Sequence, residues 1–166
     1  MEGLCFIHEQ GYMHRDLKPD NIFLGEGLTV KIGDYGMSKK SEIGLHNTSQ
    51  VGTPLYSSPE ILQGRGEYTS KTDIFSAALI IYYMLFGNPM FREAMSIDHL
   101  KELQQRYLRP DAKEKKLATF KCSDFFRGLM GFMLELEESK RPTIFEAVEW
   151  YTKHSGVDLS CSFKKV

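Results

Sequence analysis

The sequence predicts a mostly α-helical domain with a few short β-strands near its start. From Ser70 onward apolar residues recur with helical spacing, whereas the first part of the chain holds only short apolar runs separated by turn residues. A polar stretch without a period, residues 37–51, lies between the two parts. The 166 residues are 42% hydrophobic and 26% charged, which is typical of one ordinary globular domain.

The first elements are the end of a helix and three short strands. Leu4 and Ile7 belong to a helix that closes at Gly11, where glycine readily takes a positive φ. Strands are predicted at the apolar runs 12–13, 22–24 and 30–32. Gly25-Glu26-Gly27 separates the last two runs and predicts a hairpin turn.

The aperiodic stretch 37–51 predicts a long loop. Ser, Lys, Gly, His, Asn and Thr dominate it, and neither a helical nor a strand period holds. Connections of this length without secondary structure are usually functional or disordered.

The second half of the chain predicts helices. Ser70-Lys71-Thr72-Asp73 has the form of a capping box that opens the apolar helix 74–86, and this helix stops before Gly87. The apolar run has 13 residues, whereas a bilayer span needs about 20, so it is predicted to be a buried core helix.

Three more helical segments follow. Residues 98–108 form a charged amphipathic stretch, and Ser123 is placed to cap a helix over 124–136. A second capping box at 143–146, directly after Pro142, opens a helix that carries Trp150.

The charge balance excludes a broad electrostatic attraction to polyanions. The chain has 21 Lys and Arg against 22 Asp and Glu, for a net charge of -1. We therefore expect no direct nucleic-acid partner through this segment and no membrane-surface partner. Any phosphate chemistry must be local.

Cysteine usage favours a reducing compartment. Cys5, Cys122 and Cys161 are odd in number and lack CxxC spacing, which argues against a disulfide framework and a structural zinc site. The N-terminus has no basic region followed by an apolar one, so it does not look like a secretory signal. We expect a cytoplasmic location.

Three motifs carry the chemistry: HRDLKPDN at 14–21, GDYG at 33–36 and GTPLYSSPE at 52–60. In this order they resemble the catalytic loop, the magnesium loop and the P+1/APE segment of the protein kinase family. The resemblance covers essentially the whole chain but only the C-terminal lobe of that fold. It implies a protein-kinase-like C-terminal lobe, a helical bundle with few short strands, with the N-terminal lobe absent.

Four side chains match what phosphoryl transfer needs, which is positioning and charge neutralisation. The resemblance implies that Asp16 orients the substrate hydroxyl and accepts its proton. Asn21 and Asp34 are the implied Mg²⁺ ligands at the nucleotide site. Lys18, followed by Pro19, is typical of the serine/threonine branch, where that lysine contacts the γ-phosphate. The implied cofactors are ATP and Mg²⁺.

Other residues match supporting positions of the family. Glu60 and Arg141, 81 positions apart, match a buried ion pair that joins the activation segment to the late helices. Asp73 matches the carboxylate that holds the catalytic-loop backbone. His14 and Tyr35 match stacked residues of the regulatory spine. Because Tyr35 stands where the family usually has Phe, its hydroxyl needs a partner or water.

Arg15 implies control by phosphorylation of the activation segment, residues 34–60. A guanidinium beside the catalytic carboxylate needs an anion to neutralise it, and the candidate acceptors are Thr48, Ser49 and Thr53. Residues 48–53 resemble the activation loop of the kinases that phosphorylate the alpha subunit of eukaryotic translation initiation factor 2. In those kinases a phosphothreonine occupies the position of Thr48.

Several further segments resemble the amino-acid-starvation branch of these initiation-factor kinases. They are residues 8–11, 21–24, 30–34, 71–76 and 87–90. Many serine/threonine kinases share parts of them, so NIMA-related and other kinases stay open. The implied partner is a protein with a Ser or Thr acceptor, with the initiation factor among the candidates.

Two other functions are weighed against this one. Small-molecule phosphotransferases share His14, Asp16 and Asn21 but lack the segment 53–60, which builds a platform for a polypeptide acceptor. The other alternative is a non-catalytic kinase-like interaction fragment. It arises because no Gly-rich loop, strand lysine or helix glutamate precedes the catalytic loop in this sequence.

We therefore expect a partial kinase domain over residues 1–154 and a C-terminal tail over 155–166. Such a chain would be inactive by itself. The missing N-terminal lobe is the expected site of any dimer contact. The remaining histidines show no ligand spacing and are expected to be structural or at the surface; they are His8, His46, His99 and His154.

Overall fold

The computed structural model describes residues 1–34, 39–40, 54–64 and 68–157. In these ranges the α-helices are α1 (Glu2–Glu9), α2 (Pro59–Leu62), α3 (Lys71–Phe86), α4 (Ile97–Leu108), α5 (Pro110–Ala118), α6 (Asp124–Met133) and α7 (Ile144–Ser155). The strands are β1 (Tyr12–Met13), β2 (Ile22–Leu24), β3 (Val30–Ile32) and β4 (Lys39–Lys40). The predicted fold class, mostly helical with few short strands, is confirmed.

The predicted hairpin is confirmed as the antiparallel pair β2–β3. Ile22 lies opposite Ile32, and Leu24 lies opposite Val30. The turn contains a short 3₁₀ segment, Glu26–Leu28, in which Gly27 has a φ of 64°. A side chain at that φ would be strained, so glycine suits this position.

The loop predicted over 37–51 contains a strand that the sequence did not indicate. Lys39–Lys40 pairs antiparallel with β1, so that Tyr12 lies opposite Lys40 and Met13 lies opposite Lys39. Two lysines carry no apolar alternation, and the pairing of such a short strand depends on main-chain groups that the sequence pattern does not reveal.

Helix α3 forms the centre of the core. Ile74, Phe75, Ala78 and Leu79 are fully buried, and α3 packs against α6. It ends at Gly87, whose φ is 69° and whose N–H donates to the Tyr83 carbonyl. The prediction of a buried core helix is confirmed. In the part of the chain that the structure describes, no helix has the length and apolar character needed to span a membrane.

The capping box predicted at 70–73 is wrong. Ser70 makes no side-chain cap, and its φ of -57° and ψ of -14° are helical, whereas a capping residue is usually extended. The Asp73 carboxylate instead accepts hydrogen bonds from residues far away in the sequence. Because this carboxylate is used in tertiary contacts, it does not cap its own helix.

The other predicted helices are present with shifted bounds. Ser96 caps α4 through the His99 N–H, Ser123 caps α6 as predicted, and α6 ends at Met133 because Leu134 leaves the helical conformation. The Thr143–Glu146 capping box that opens α7 is confirmed in both directions. Helix α5 is not apparent from the sequence pattern, because Leu117 is its one buried residue.

Candidate active site

Asp73, in the first turn of α3, anchors the catalytic loop. Its Oδ2 accepts from the His14 N–H, and its Oδ1 accepts from the Arg15 N–H, both at 2.8 Å. The imidazole of His8 donates from Nε2 to the same Oδ2 at 2.8 Å. The Asp73 side chain is 1% exposed, so a buried carboxylate on the core helix fixes the backbone at the start of the loop.

His14 links the catalytic loop to the segment that carries Asp34. Its buried ring accepts at Nδ1 from the Asp16 N–H at 3.3 Å, so Nε2 carries the proton and donates to the Gly33 carbonyl at 2.8 Å. The Gly33 N–H in turn donates to the Asn21 carbonyl at 2.9 Å.

The Phe23 ring lies close to the main chain of Gly33 in this arrangement. A Cβ on Gly33 would lie 2.5 Å from a ring carbon of Phe23. A larger residue at this position would therefore require the exposed Phe23 ring to move.

Asp16, Lys18 and Asn21 form one hydrogen-bonded cluster. Lys18 Nζ donates to Asp16 Oδ2 at 2.8 Å. Asn21 Nδ2 donates to the Asp16 carbonyl at 2.7 Å and to Asp16 Oδ2 at 3.2 Å. The cluster holds a carboxylate and an ammonium group side by side, and both are partly open to solvent.

The charge state of Lys18 reflects this cluster. The hydrogen bond with Asp16 raises the pKa of Lys18, burial opposes this shift, and the negative charges of Asp16 and Asp34 add to it. The ammonium therefore stays charged at neutral pH.

Asp34 follows Gly33 with a φ of 58°, an uncommon value for a residue with a side chain. Asp34 is exposed to solvent. The Asn21 amide nitrogen is taken by Asp16, which leaves the amide oxygen as the atom for a ligand. Carboxylate and amide oxygens are ligands that suit Mg²⁺, so the donor set fits this ion.

Two protein ligands suit a Mg²⁺ ion whose other ligands include substrate phosphates. Among the described residues, no group of three or more His, Cys, Asp or Glu side chains could hold a metal. Mg²⁺ is commonly held by one or two carboxylates together with substrate phosphates. Asn21 and Asp34 are the residues that would hold it.

Hydrogen bonds that sequence analysis missed connect the segment 54–58 to helices α3 and α4. Ser76 Oγ donates to the Tyr56 carbonyl at 2.7 Å, and the Ser58 and Thr72 hydroxyls share a short hydrogen bond. From α4, Gln104 Nε2 donates to the Ser57 carbonyl at 2.9 Å. Gln104 is 1% exposed. A polar residue at a buried position of the amphipathic helix pattern is the sequence signal that could have identified this contact.

Glu60 and Arg141 form a buried two-point ion pair. Arg141 Nη1 lies 2.7 Å from Glu60 Oε1, and Nη2 lies 3.1 Å from Oε2. Arg141 also donates to the carbonyls of Lys71 and Glu135. Burial raises the pKa of Glu60, but the hydrogen bonds and positive charge of Arg141, together with hydrogen bonds from the Glu60 backbone and Ser58, outweigh it, so the pKa lies below its ordinary value.

The structure brings together most of the residues singled out in the sequence, and His8 joins them. His8 was expected to be structural or at the surface; its side chain is 3% exposed and bonded to Asp73. The predicted spine residue and phosphorylation sites lie outside the described residues, so the predictions for them stand as made; these are Tyr35, Thr48, Ser49 and Thr53.

Comparison with known proteins identifies the family. Residues 1–151 match the protein kinase domain, so the chain belongs to the protein kinase domain family. It is 34% identical over 149 residues to the probable serine/threonine-protein kinase CCRP1 of Zea mays, a match that covers 89% of this chain and 23% of the relative.

Two other relatives have similar identity. The chain is 33% identical over 173 residues to the eIF-2-alpha kinase GCN2 of Rattus norvegicus, covering 90% of this chain and 10% of that protein. It is 30% identical over 167 residues to the CBL-interacting protein kinase 26 of Oryza sativa subsp. japonica, covering 95% and 31%. The chain thus spans between a tenth and a third of the length of these relatives.

Proposed function

We propose that this chain supplies the catalytic loop of a protein serine/threonine kinase that transfers the γ-phosphoryl group of ATP to a protein hydroxyl. The observation that carries the proposal is the cluster in which Lys18 and Asn21 both donate to the Asp16 carboxylate. Phosphoryl transfer needs positioning and charge neutralisation more than covalent chemistry. A fixed carboxylate beside a fixed cation supports that reaction.

Each residue of the cluster has a distinct role in the proposal. Asp16 orients the acceptor hydroxyl and accepts its proton at the carboxylate. Lys18 places its positive charge beside the transferred phosphate. Asn21 holds the Asp16 carboxylate through its amide nitrogen, and its amide oxygen and the Asp34 carboxylate hold Mg²⁺. When bound, Mg²⁺ neutralises the negative charge of the phosphates.

A polypeptide is the proposed acceptor. The segment 54–58 is anchored to α3 through Ser76 and to α4 through Gln104, which gives an acceptor chain a fixed main-chain platform. The relatives named as serine/threonine kinases support the same substrate class. Small-molecule phosphotransferases would not require this platform.

We further propose that phosphate on the activation segment regulates the site. Arg15 carries its cation next to Asp16 in the sequence, and Thr48 is the acceptor that the sequence favours. A phosphothreonine can pair with arginine and order a loop. Arg15 then links the state of the activation segment to the position of the catalytic loop.

A narrower candidate is a kinase of translation initiation factor 2 alpha. The eIF-2-alpha kinase GCN2 of rat supports it, at 33% identity, but relatives with other names have similar identities. The purified initiation factor and a general serine/threonine acceptor, offered together at equal concentration, distinguish the two. Preferential labelling of the general acceptor would leave a serine/threonine kinase of another branch.

The test of the main proposal is phosphate transfer from radiolabelled ATP. The chain is assayed alone and with the N-terminal lobe of a related kinase joined ahead of Met1. We expect no transfer by the chain alone, and transfer by the joined protein that Asp16→Asn abolishes, because the amide cannot accept a proton. Asp20→Asn, in the same loop, is the matched control and should retain activity.

Two results would contradict the proposal. If Asp16→Asn retains activity within about threefold of the unchanged protein, Asp16 is not the catalytic carboxylate. If the joined protein is folded and binds nucleotide but transfers no phosphate to any protein acceptor, the alternative of a non-catalytic interaction module is favoured.

A further inference from the structure

The main chain of Arg15 is held in an uncommon conformation. Its φ is 71°, a left-handed value that residues with side chains adopt only where the surroundings enforce it. The Arg15 N–H donates to Asp73 Oδ1 at 2.8 Å. The first turn of α3 therefore fixes the backbone from which the guanidinium projects.

The side chain of Arg15 is held by a second residue of the same stretch. Its guanidinium carbon lies 5.4 Å from the centroid of the Tyr68 ring, within the range of a cation–π contact. Tyr68 precedes Asp73 by five positions. Asp73 in the first turn of α3 thus contacts the main chain of Arg15, and Tyr68 just before α3 contacts its cationic group.

The guanidinium has donors left to offer. Its Nε is buried, and within the described residues it has no hydrogen-bond partner. A guanidinium carries five N–H donors in a planar fork that matches the oxygens of a phosphate. The contact with the Tyr68 ring restrains this group before an anion arrives.

We propose that Tyr68 is a positioning residue that holds the Arg15 guanidinium in place to receive a phosphate monoester. The inference rests on the proposed function, in which Arg15 binds the phosphate of the activation segment. Tyr68 does not touch the phosphate. It restricts the rotamers of Arg15, so that less side-chain freedom is lost when the anion binds.

The contact itself is tested by NMR on the 166-residue chain with ¹⁵N-labelled arginine. Arg15→Lys identifies the Arg15 Nε–H resonance by its loss. We expect Tyr68→Phe to keep the ring-current shift of this resonance and Tyr68→Leu to lose it, with unfolding midpoints measured for both. An unchanged Arg15 resonance in Tyr68→Leu would overturn the proposal.

Anion binding is tested with inorganic phosphate as the probe. Phosphate is titrated into the unchanged chain and both Tyr68 variants while the Arg15 resonance is followed. Tyr68→Leu should weaken the affinity roughly two- to fivefold, and Tyr68→Phe should restore it, as expected for the loss and retention of a cation–π contact. Equal affinities in all three proteins, or no response in the unchanged chain, would overturn the proposal.

A third arm separates this inference from the proposed regulation. The chain carrying phosphothreonine at residue 48 is compared with the unphosphorylated chain. If phosphorylation leaves the Arg15 resonance unmoved while the phosphate titration depends on Tyr68, then the role of Thr48 fails and the role of Tyr68 stands. If phosphorylation moves the resonance equally in Tyr68→Leu, the role of Thr48 stands and that of Tyr68 fails.

Discussion

The imidazole of His8 donates to the carboxylate of Asp73 at 2.8 Å across 65 positions of sequence. Both side chains are almost completely buried. The same carboxylate accepts the backbone N–H groups of His14 and Arg15. The contact joins helix α1, the core helix and the catalytic loop in one hydrogen-bonded group.

Replacing His8 should therefore destabilise the protein. His8→Phe keeps an aromatic ring but removes a buried hydrogen bond to a charged group, so we expect the free energy of unfolding to fall by about 1.5 to 3 kcal/mol. Urea unfolding measures it. His99→Phe is the control. It removes an exposed hydrogen bond from the Met95 N–H, and the free energy of unfolding should change by at most about 0.5 kcal/mol. Similar losses in the two variants would show that the Asp73 contact contributes little.

The pair Glu60–Arg141 predicts strongly non-additive substitutions. Arg141→Met leaves the Glu60 carboxylate buried without its partner, and should cost about 3 to 5 kcal/mol of unfolding free energy. Combining it with Glu60→Leu removes both charges, so the double variant should be more stable than Arg141→Met alone.

Urea unfolding of the single and double variants measures this coupling. The control is the exposed pair of Lys140 and Glu137, where Lys140→Met should cost under about 1 kcal/mol. Additive losses at Glu60 and Arg141 would contradict the prediction.

The lowered pKa of Glu60 predicts how stability depends on pH. Burial raises this pKa, but Arg141 and the other hydrogen bonds to Glu60 together lower it more, so the folded value lies below the ordinary 4.5. Stability from this group is complete above pH 4.5 and is lost as the pH falls through the folded value. Glu60→Gln should remove this dependence, so its unfolding free energy should fall less steeply below pH 4.5. Parallel pH profiles for the two proteins would contradict the prediction.

Gln104 should affect the protein acceptor and not the nucleotide. Gln104→Leu removes the hydrogen bond to the Ser57 carbonyl. In the protein joined to an N-terminal lobe, we expect kcat/KM for a protein acceptor to fall about fivefold, as for the loss of one hydrogen bond. The KM for ATP should stay unchanged. Gln105→Leu alters the exposed neighbouring residue and should have no effect; equal losses in both variants would assign the effect to helix α4 as a whole.

Phosphorylation of the activation segment is predicted at Thr48. Mass spectrometry of the active protein joined to an N-terminal lobe should detect phosphate there, and Thr48→Ala in that protein should lower activity because Arg15 then lacks its anion. Ser49→Ala is the matched control and should remain active. Activity that survives Thr48→Ala but is lost in Ser49→Ala would place the regulatory phosphate one residue further along the chain.

Local patterns in the sequence account for most of the fold. The apolar run of α3, the Thr143–Glu146 box and the glycine turn at 25–27 each depend on neighbours within a few residues, and the structure has all three. Helix α5 shows no apolar period, since its one buried residue is Leu117. The pairing of Lys39–Lys40 with β1 also depends on a distant segment.

The candidate site was predicted where motifs are contiguous and missed where contacts are distant. Asp16, Lys18 and Asn21 lie within six residues, so their clustering follows from the loop itself. In contrast, His8 contacts Asp73 across 65 positions of sequence, and Gln104 contacts Ser57 across 47 positions. Asp73 also shows how a local rule fails, because its buried carboxylate is directed at three distant donors and not at the start of its own helix.

The attachment of the loop to Asp73 has a consequence for the energetics of catalysis. Two loop amides are bonded to a carboxylate that is itself part of the core. In the proposed kinase, the backbone that leads into Asp16 is therefore ordered by folding, before the substrates arrive. Such preorganisation means that the cost of ordering the polar groups is met during folding and is not subtracted from substrate binding energy at each turnover.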